Sequence, residues 1–371
     1  MTAVATSASS RVASAAPAGP GWLFSRTTDV GVFGGSALLS LIMLAIGVAT
    51  GAIHGDTPDW AWVPGVLLVD VAHVWGTGFR VYFQPRELAR RPWLYGGVPL
   101  LAYGALFLLY GLGAFTFWRA LAYTAIFHFV RQQAGWVALY RARARERDGR
   151  LIDMVAIYVA TLYPLAYWHT HRRSFDWFTP GNLVPLPLWV ERFGFPVYVL
   201  GLGVYLFRSV HRGLALGSWS PGKDLLVGTT ALCWYVGIVA TDSDYSFTVM
   251  NVFIHGIPYM ALIYAYGRSE ERPRWKPGIA GVVPMLAILW ALAYAEELGW
   301  DRSYWGERSW LFGSWQLGGL ARYLVPLLAV PQVTHYILDG FIWRRAQNPG
   351  LARLFLRPLP ESPAPALTGR V

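Results

Sequence analysis

Ten stretches of mostly apolar residues, each near the length that crosses a lipid bilayer, run through this chain of 371 residues. A spanning helix needs roughly 20 such residues, because the hydrocarbon core is about 30 Å thick and each residue adds about 1.5 Å. The stretches are 31–52, 60–79, 95–117, 120–140, 151–168, 193–208, 224–240, 246–267, 278–296 and 317–341. The pattern predicts an all-α fold, a polytopic transmembrane helix bundle of about ten spans. Pro326 and Pro331 should bend the tenth span.

The composition excludes most other classes of protein. Charged residues make up 14% of the chain, whereas soluble domains carry roughly a quarter. An aromatic content of 16% excludes disorder over most of the chain. Cys233 is the only cysteine, which excludes a disulfide scaffold. We therefore expect the net charge of +10 to face anionic lipid headgroups, and we expect the bilayer rather than nucleic acid as partner.

The basic residues predict the orientation of the spans. With the N-terminus in the cytoplasm, the cytoplasmic segments hold 23 Lys and Arg and the opposite side holds 6. This asymmetry follows the positive-inside rule and favours an even number of spans with both termini cytoplasmic. Since 29 of the 31 basic residues are Arg, we infer a GC-rich bacterial genome and expect the protein in the bacterial cytoplasmic (inner) membrane.

Composition also predicts three segments along the chain. Residues 1–26 are rich in Ala, Ser, Pro and Gly, lack the apolar core of a signal peptide, and should form a flexible cytoplasmic tail. Residues 27–345 should form the integral membrane helical domain. Residues 346–371 should form a Pro-rich cytoplasmic tail.

Four predicted spans contain a histidine with a second polar residue three or four positions away. The pairs are Asp70 and His73, His128 and Gln132, Asn251 and His255, and His335 and Asp339. Such a spacing places both members of a pair on one helix face. Because polar residues are costly in a membrane, with roughly 2.5–3.5 kcal/mol for an Asp at a helix centre, these positions carry functional information.

These four spans are the second, fourth, eighth and tenth, and all run from the outside inward in the predicted topology. Parallel helices can bring their imidazoles and carboxylates to one place, as in helix bundles that hold metals. We therefore predict a non-haem metal centre containing iron, as one ion or two, or zinc. The predicted ligands are His73, His128, His255, His335, Asp70 and Asp339.

Three nearby residues are assigned supporting roles. Gln132, Asn251 and Arg131 should orient the ligands or the substrate, since amide and guanidinium groups commonly hold metal ligands in place. Asp339 has a competing interpretation. It lies near the predicted cytoplasmic end of its span, where pairing with Arg344 or Arg345 would explain it equally well.

No known catalytic motif narrows the chemistry. The sequence contains no HExxH helix, phosphate-binding Gly-rich loop, GxSxG elbow or CxxCH haem attachment motif. A metal centre reached through the bilayer suits an apolar, lipid-like small-molecule substrate, which predicts a membrane oxidoreductase with a redox partner.

Three alternatives remain open at this point. The same His and Asp residues can serve a proton- or ion-coupled transporter. Two of the histidines can be the axial ligands of haem b. Ordinary polar packing between helices is the third explanation.

Overall fold

The computed structural model describes residues 21–175, 177–270 and 273–344, together with Asn348, Gly350, Leu351 and Leu354. Every regular element among these residues is helical. The long helical segments, in chain order, are α1 (Arg26–Thr50), α2 (59–82), α3 (Pro92–Gly111), α4 (Ala114–Ala144), α5 (Arg150–Thr170), α6 (Trp189–Leu216), α7 (Pro221–Ala240), α8 (Asp244–Ser269), α9 (Ile279–Trp305) and α10 (Gly318–Ile342). The short helices Pro85–Arg90 and Ser309–Phe312 lie in the connections before α3 and before α10.

Eight helices of the described chain are long and apolar enough to cross a membrane, namely all of these except α2 and α4. The predicted all-α fold is thus confirmed, with eight candidate membrane-spanning helices, while the number of ten spans and the cytoplasmic termini stay predictions. Both exceptions correspond to predicted spans, and both carry predicted site residues. α10 divides at Ala329, between the two prolines expected to bend it.

α8 is the centre of the bundle. In its most apolar stretch 89% of the residues are buried, against 6% in α6, which leaves α6 at the periphery. α8 packs against α1, α2 and α4. Segments with the wider π-helical turn interrupt two helices just before their histidines, at Val63–Val71 in α2 and Thr248–Val252 in α8. Such segments are frequent at functional sites.

A glycine allows α8 to approach α2 closely. A Cβ atom on Gly256 would lie 2.6 Å from Val69 Cγ1 and 3.0 Å from the Val69 carbonyl oxygen, so only glycine fits there without movement. Small residues serve the same purpose at many helix contacts in membranes. Because Gly256 follows His255 and Val69 precedes Asp70, this contact lies directly beside the predicted site.

The described parts of both predicted tails, at their inner ends, are packed against the bundle. Leu23 and Phe24 are buried, and their amides donate to the fully buried Asp29 carboxylate at 2.5 and 3.0 Å. Asn348 and Leu351 are likewise fully buried. Residues 1–20 and 355–371, which form most of the two predicted tails, lie outside the described residues.

Candidate metal centre

Four histidine rings from four helices form a closed ring inside the bundle. Each is at most 3% exposed, and α2, α4, α8 and α10 contribute one each. Neighbouring ring centroids are 4.6, 5.1, 4.6 and 5.1 Å apart in the order His73, His255, His128, His335 and back to His73. The structure therefore brings together all four histidines that the sequence selected.

Several ring nitrogens in this cluster lack a hydrogen-bond partner among the described residues. The Nε2 atoms of His128 and His335 are buried and unpartnered, as are the Nδ1 atoms of His73 and His255. Buried polar atoms in native proteins are nearly always satisfied, so such a group calls for an explanation. A bound metal ion is one such explanation, because a neutral imidazole nitrogen binds metals through its lone pair.

The distances suit a small ion. The Nε2 atoms of His73 and His255 are 3.1 Å apart. Two nitrogens bound to one ion at 2.0–2.1 Å would be about 2.8–3.4 Å apart for bond angles between octahedral and tetrahedral values. Two groups of side chains offer ligand atoms within 4.8 Å of one another, namely His73, His128 and His255, and His128, His335 and Asp339.

A chain of hydrogen bonds orients His335. Its Nδ1 atom lies 2.8 Å from Thr77 Oγ1, and the Thr77 hydroxyl also contacts that of Tyr259. Tyr259 donates to Asp339 Oδ1 at 2.8 Å, and Trp343 donates to the same oxygen at 3.1 Å. Because an ionised carboxylate only accepts hydrogen bonds, a chain that ends on Asp339 makes His335 Nδ1 the donor. Its Nε2 lone pair is then free to face the other histidines.

Each predicted aspartate lies beside the Nδ1 edge of a histidine on its own helix. Asp70 Oδ1 is 3.8 Å from His73 Nδ1, and Asp339 Oδ1 is 3.7 Å from His335 Nδ1. Both distances exceed the length of a hydrogen bond. Asp339 is bound by Tyr259 and Trp343 rather than by Arg344, whose guanidinium lies over the ring of Phe341. Arg345, the other residue suggested as its partner, lies outside the described residues.

The three predicted supporting residues occupy different surroundings. Gln132 Nε2 donates to the backbone oxygen of His255 at 2.8 Å, which ties α4 to α8 at the cluster. Asn251 is buried and donates to the Phe247 carbonyl of its own helix at 3.1 Å. Arg131 is exposed and donates to the Tyr158 hydroxyl, so it is not brought to the histidines.

The sequence analysis missed several residues around the cluster. Thr77 and Tyr259 each lie four positions after a predicted histidine, so helical spacing alone could have found them. Tyr336 stacks on the His128 ring with centroids 4.5 Å apart. Glu296 is 4% exposed and accepts from Trp75 Nε1 at 2.8 Å. The sequence predicts that the ninth span ends at Glu296, but α9 continues to Trp305, so Glu296 lies within the helix.

Comparison of the chain with models of protein families, with curated proteins and with solved structures finds no significant match. The fold and the cluster define a class, an all-helical protein with eight candidate membrane-spanning helices among its described residues and with buried histidines and a carboxylate that could hold a metal ion.

Proposed function

We propose that this protein is an intramembrane metalloenzyme with a single metal ion. His73, His128 and His255, whose ligand atoms lie within 4.8 Å of one another, hold the ion, and His335, which packs against His128, moves closer to become the fourth ligand. The observation that carries the proposal is the closed ring of four buried imidazoles, in which the Nε2 atoms of His128 and His335 have no hydrogen-bond partner among the described residues. Four neutral rings from four helices form a costly arrangement in an apolar core, and one cation at their centre would compensate all of them.

Asp70 and Asp339 orient ligands in this proposal rather than bind the ion. Each lies 3.7–3.8 Å from a histidine Nδ1, too far for a hydrogen bond but close enough for its negative charge to raise the basicity of the ring as a ligand. Thr77 and Gln132 also support the ligands without binding the ion. Thr77 is hydrogen-bonded to His335, and Gln132 donates to the backbone oxygen of His255. A second ion in the group His128, His335 and Asp339 is the competing arrangement, and metal stoichiometry separates the two.

Non-haem iron fits the site best, with zinc as the other candidate. Imidazole nitrogens suit both metals, and four of them leave positions open for a small molecule if the ion accepts more than four ligands. Bound iron would supply one-electron chemistry with oxygen, whereas zinc would activate water. We propose an oxidoreductase that receives its electrons from a redox partner.

The residues around the cluster favour an apolar substrate. Phe129 stacks on the His255 ring with centroids 3.7 Å apart, and Tyr336 covers His128. These aromatic rings make the surroundings of the cluster apolar. Their flat faces would pack well against a polyene, a quinone or a lipid chain. Such substrates are dissolved in the bilayer that surrounds the helices.

Metal analysis of the purified protein tests the proposal. We expect about one iron or zinc per chain, lost in His128→Ala and kept in His211→Ala, because His211 lies on α6 outside the cluster. Oxygen consumption with an added quinol or polyene then tests the activity, which His128→Ala should abolish. Full metal occupancy in His128→Ala would contradict the site, and two ions per chain would contradict the single-ion arrangement.

Haem b fits the cluster poorly. Axial ligands on opposite sides of a haem iron are about 4 Å apart, at roughly 2 Å per bond, with a flat macrocycle between them. Here two Nε2 atoms are 3.1 Å apart, and the other two histidines occupy the space that a porphyrin would need. A Soret band in the purified protein would overturn this reasoning.

A proton-coupled transporter is the second candidate, and buried carboxylates favour it. Glu296 and Glu297 are 4% and 9% exposed, and each interacts electrostatically with Asp70. Chains of acidic residues and histidines relay protons in many membrane pumps. Solute uptake into proteoliposomes that collapses with the proton gradient and is lost in Glu296→Gln would favour transport over redox chemistry.

A further inference from the structure

A second polar site lies apart from the histidines, where α6 ends and α7 begins. A cavity of about 10 Å³ has room for one water-sized group. It is lined by three basic residues, two acidic residues and four residues with hydroxyl groups, namely Arg208, Arg212, Lys223, Asp153, Asp224, Tyr205, Ser209, Ser218 and Ser220. Ser220 is 7% exposed, and its hydroxyl oxygen has no hydrogen-bond partner among the described residues. The residue directly precedes α7, where the positive end of the helix dipole favours an anion.

Lys223 and Arg212 have N–H groups that their hydrogen bonds to neighbouring residues do not use. Lys223 donates to Glu146 Oε2 at 2.5 Å and to Asp153 Oδ2 at 2.9 Å, which uses two of its three N–H groups. Arg212 donates to Ser218 Oγ at 3.0 Å and lies 3.4 Å from Glu146. A guanidinium has five N–H groups, so Arg212 retains donors for an incoming oxygen.

The acidic groups nearby are already occupied. Asp153 is fully buried and contacts Arg141, Arg208 and Lys223. The carboxylate of Asp224 accepts from Tyr205 Oη at 2.7 Å and from Ser209 Oγ at 2.8 Å. These partners offset much of the negative charge that the two carboxylates bring to the cavity.

Exposed apolar side chains lie on the helix that contributes Arg208 and Arg212 to the cavity and in the loop after it. Phe207, Leu214 and Leu216 on α6 are 73%, 77% and 67% exposed. Trp219 is 51% exposed, and its indole packs on Gly213, where a Cβ would lie 2.1 Å from the ring. An exposed Trp beside basic residues is typical of the level of the lipid headgroups, with acyl chains along the neighbouring apolar face.

We propose that this cavity binds the phosphate of an anionic phospholipid, with one phosphate oxygen between Ser220, Arg212 and Lys223. Basic pockets between membrane helices commonly bind such headgroups. The site lies between segments that the sequence predicts to be cytoplasmic, where anionic lipids concentrate. It shares no residue with the proposed metal centre, so the two proposals succeed or fail separately.

Native mass spectrometry of the full-length protein tests this proposal. The protein is purified from nanodiscs that contain equal parts of phosphatidylglycerol and phosphatidylcholine, and the ratio of the two retained lipids is measured. We expect Arg212→Gln to lower the retention of phosphatidylglycerol at least tenfold, since it removes a charge-assisted hydrogen bond. Ser220→Ala, which changes no charge, should lower it about fivefold.

Arg147→Gln is the matched control, because Arg147 is exposed in the adjoining loop and carries the same charge. Attraction by a diffuse surface charge would weaken lipid retention about equally in both arginine variants and leave Ser220→Ala unchanged, and that outcome would overturn the site. Displacement of the lipid by millimolar inorganic phosphate alone would overturn the assignment to a lipid. Thermal unfolding of each variant verifies that it is folded.

Discussion

Replacing Thr77 with Val should weaken metal binding without touching any proposed ligand. Thr77 is 4% exposed, and its hydroxyl lies 2.8 Å from Nδ1 of the fully buried His335. Valine keeps the shape and removes the oxygen, so the chain from His335 through Tyr259 to Asp339 is broken at its first step. The His335 ring then loses the group that directs its Nε2 atom towards the other histidines.

The magnitude follows from that single bond. Loss of an outer hydrogen-bond partner of a metal-bound histidine typically costs 10–100-fold in metal affinity, which is about 1.4–2.7 kcal/mol. The metal-free protein should also lose about 1–3 kcal/mol of stability, because Nδ1 of His335 is left buried and unpaired. Thr77→Ser retains the hydroxyl and should restore most of both losses.

Competition with a chelator of known affinity measures the effect for zinc or iron(II). Thr334→Val is the matched control. Thr334 precedes His335 and is 4% exposed, but its hydroxyl has no partner among the described residues. Metal affinity of Thr77→Val within about twofold of the original protein, or an equal loss in Thr334→Val, would refute the role assigned to Thr77, since loss of such a partner costs at least about tenfold.

Three further predictions follow from other contacts. Gly256→Ala should cost about 1–3 kcal/mol in the free energy of unfolding and weaken metal binding, because its Cβ would meet Val69; Gly104→Ala, with open space at its Cβ, should do neither. Burial opposes ionisation of Glu146, but the hydrogen bond and charge of Lys223, with the charges of Arg212 and Arg141, hold the pKa of Glu146 below its ordinary 4.5. This stabilisation is complete above pH 4.5 and is lost as the pH falls through the lower pKa of the folded state. Chemical denaturation across that range should show a smaller loss in Glu146→Gln than in the original protein, since other carboxylates such as Asp301 still titrate. At neutral pH the substitution itself costs about 3 kcal/mol, because Lys223 loses a buried partner. Finally, metal at 100 times its dissociation constant should stabilise the protein by about 2.7 kcal/mol, and an unchanged melting temperature would count against the centre.

Helical spacing and the cost of burying polar groups predicted the core of the site. Membrane helices rarely contain His or Asp. Such residues at helical spacing, in four segments that the sequence predicts to be parallel spans, therefore marked His73, His128, His255 and His335, which the structure gathers into one ring. The all-α fold followed from the length and apolar character of the segments in the same way.

Other features depend on three-dimensional contacts that a linear pattern does not contain. Arg131 lies one turn from His128, but the rotation of α4 directs it outward to Tyr158. Glu296 looked like the end of a span, whereas α9 extends beyond it and buries it beside Trp75. The role of Gly256 depends on how closely two distant helices approach, which no local property of the sequence expresses.

X-ray absorption at the metal edge of the purified protein tests the central proposal most directly. Four imidazole rings around one ion predict about four nitrogen neighbours near 2.0–2.1 Å, with the outer-shell scattering typical of histidine. The imidazole signal should fall by about a quarter in His335→Ala loaded with excess metal, because one of four ligands is removed. A sample without bound metal, or a metal surrounded chiefly by oxygen with no imidazole scattering, would contradict the account.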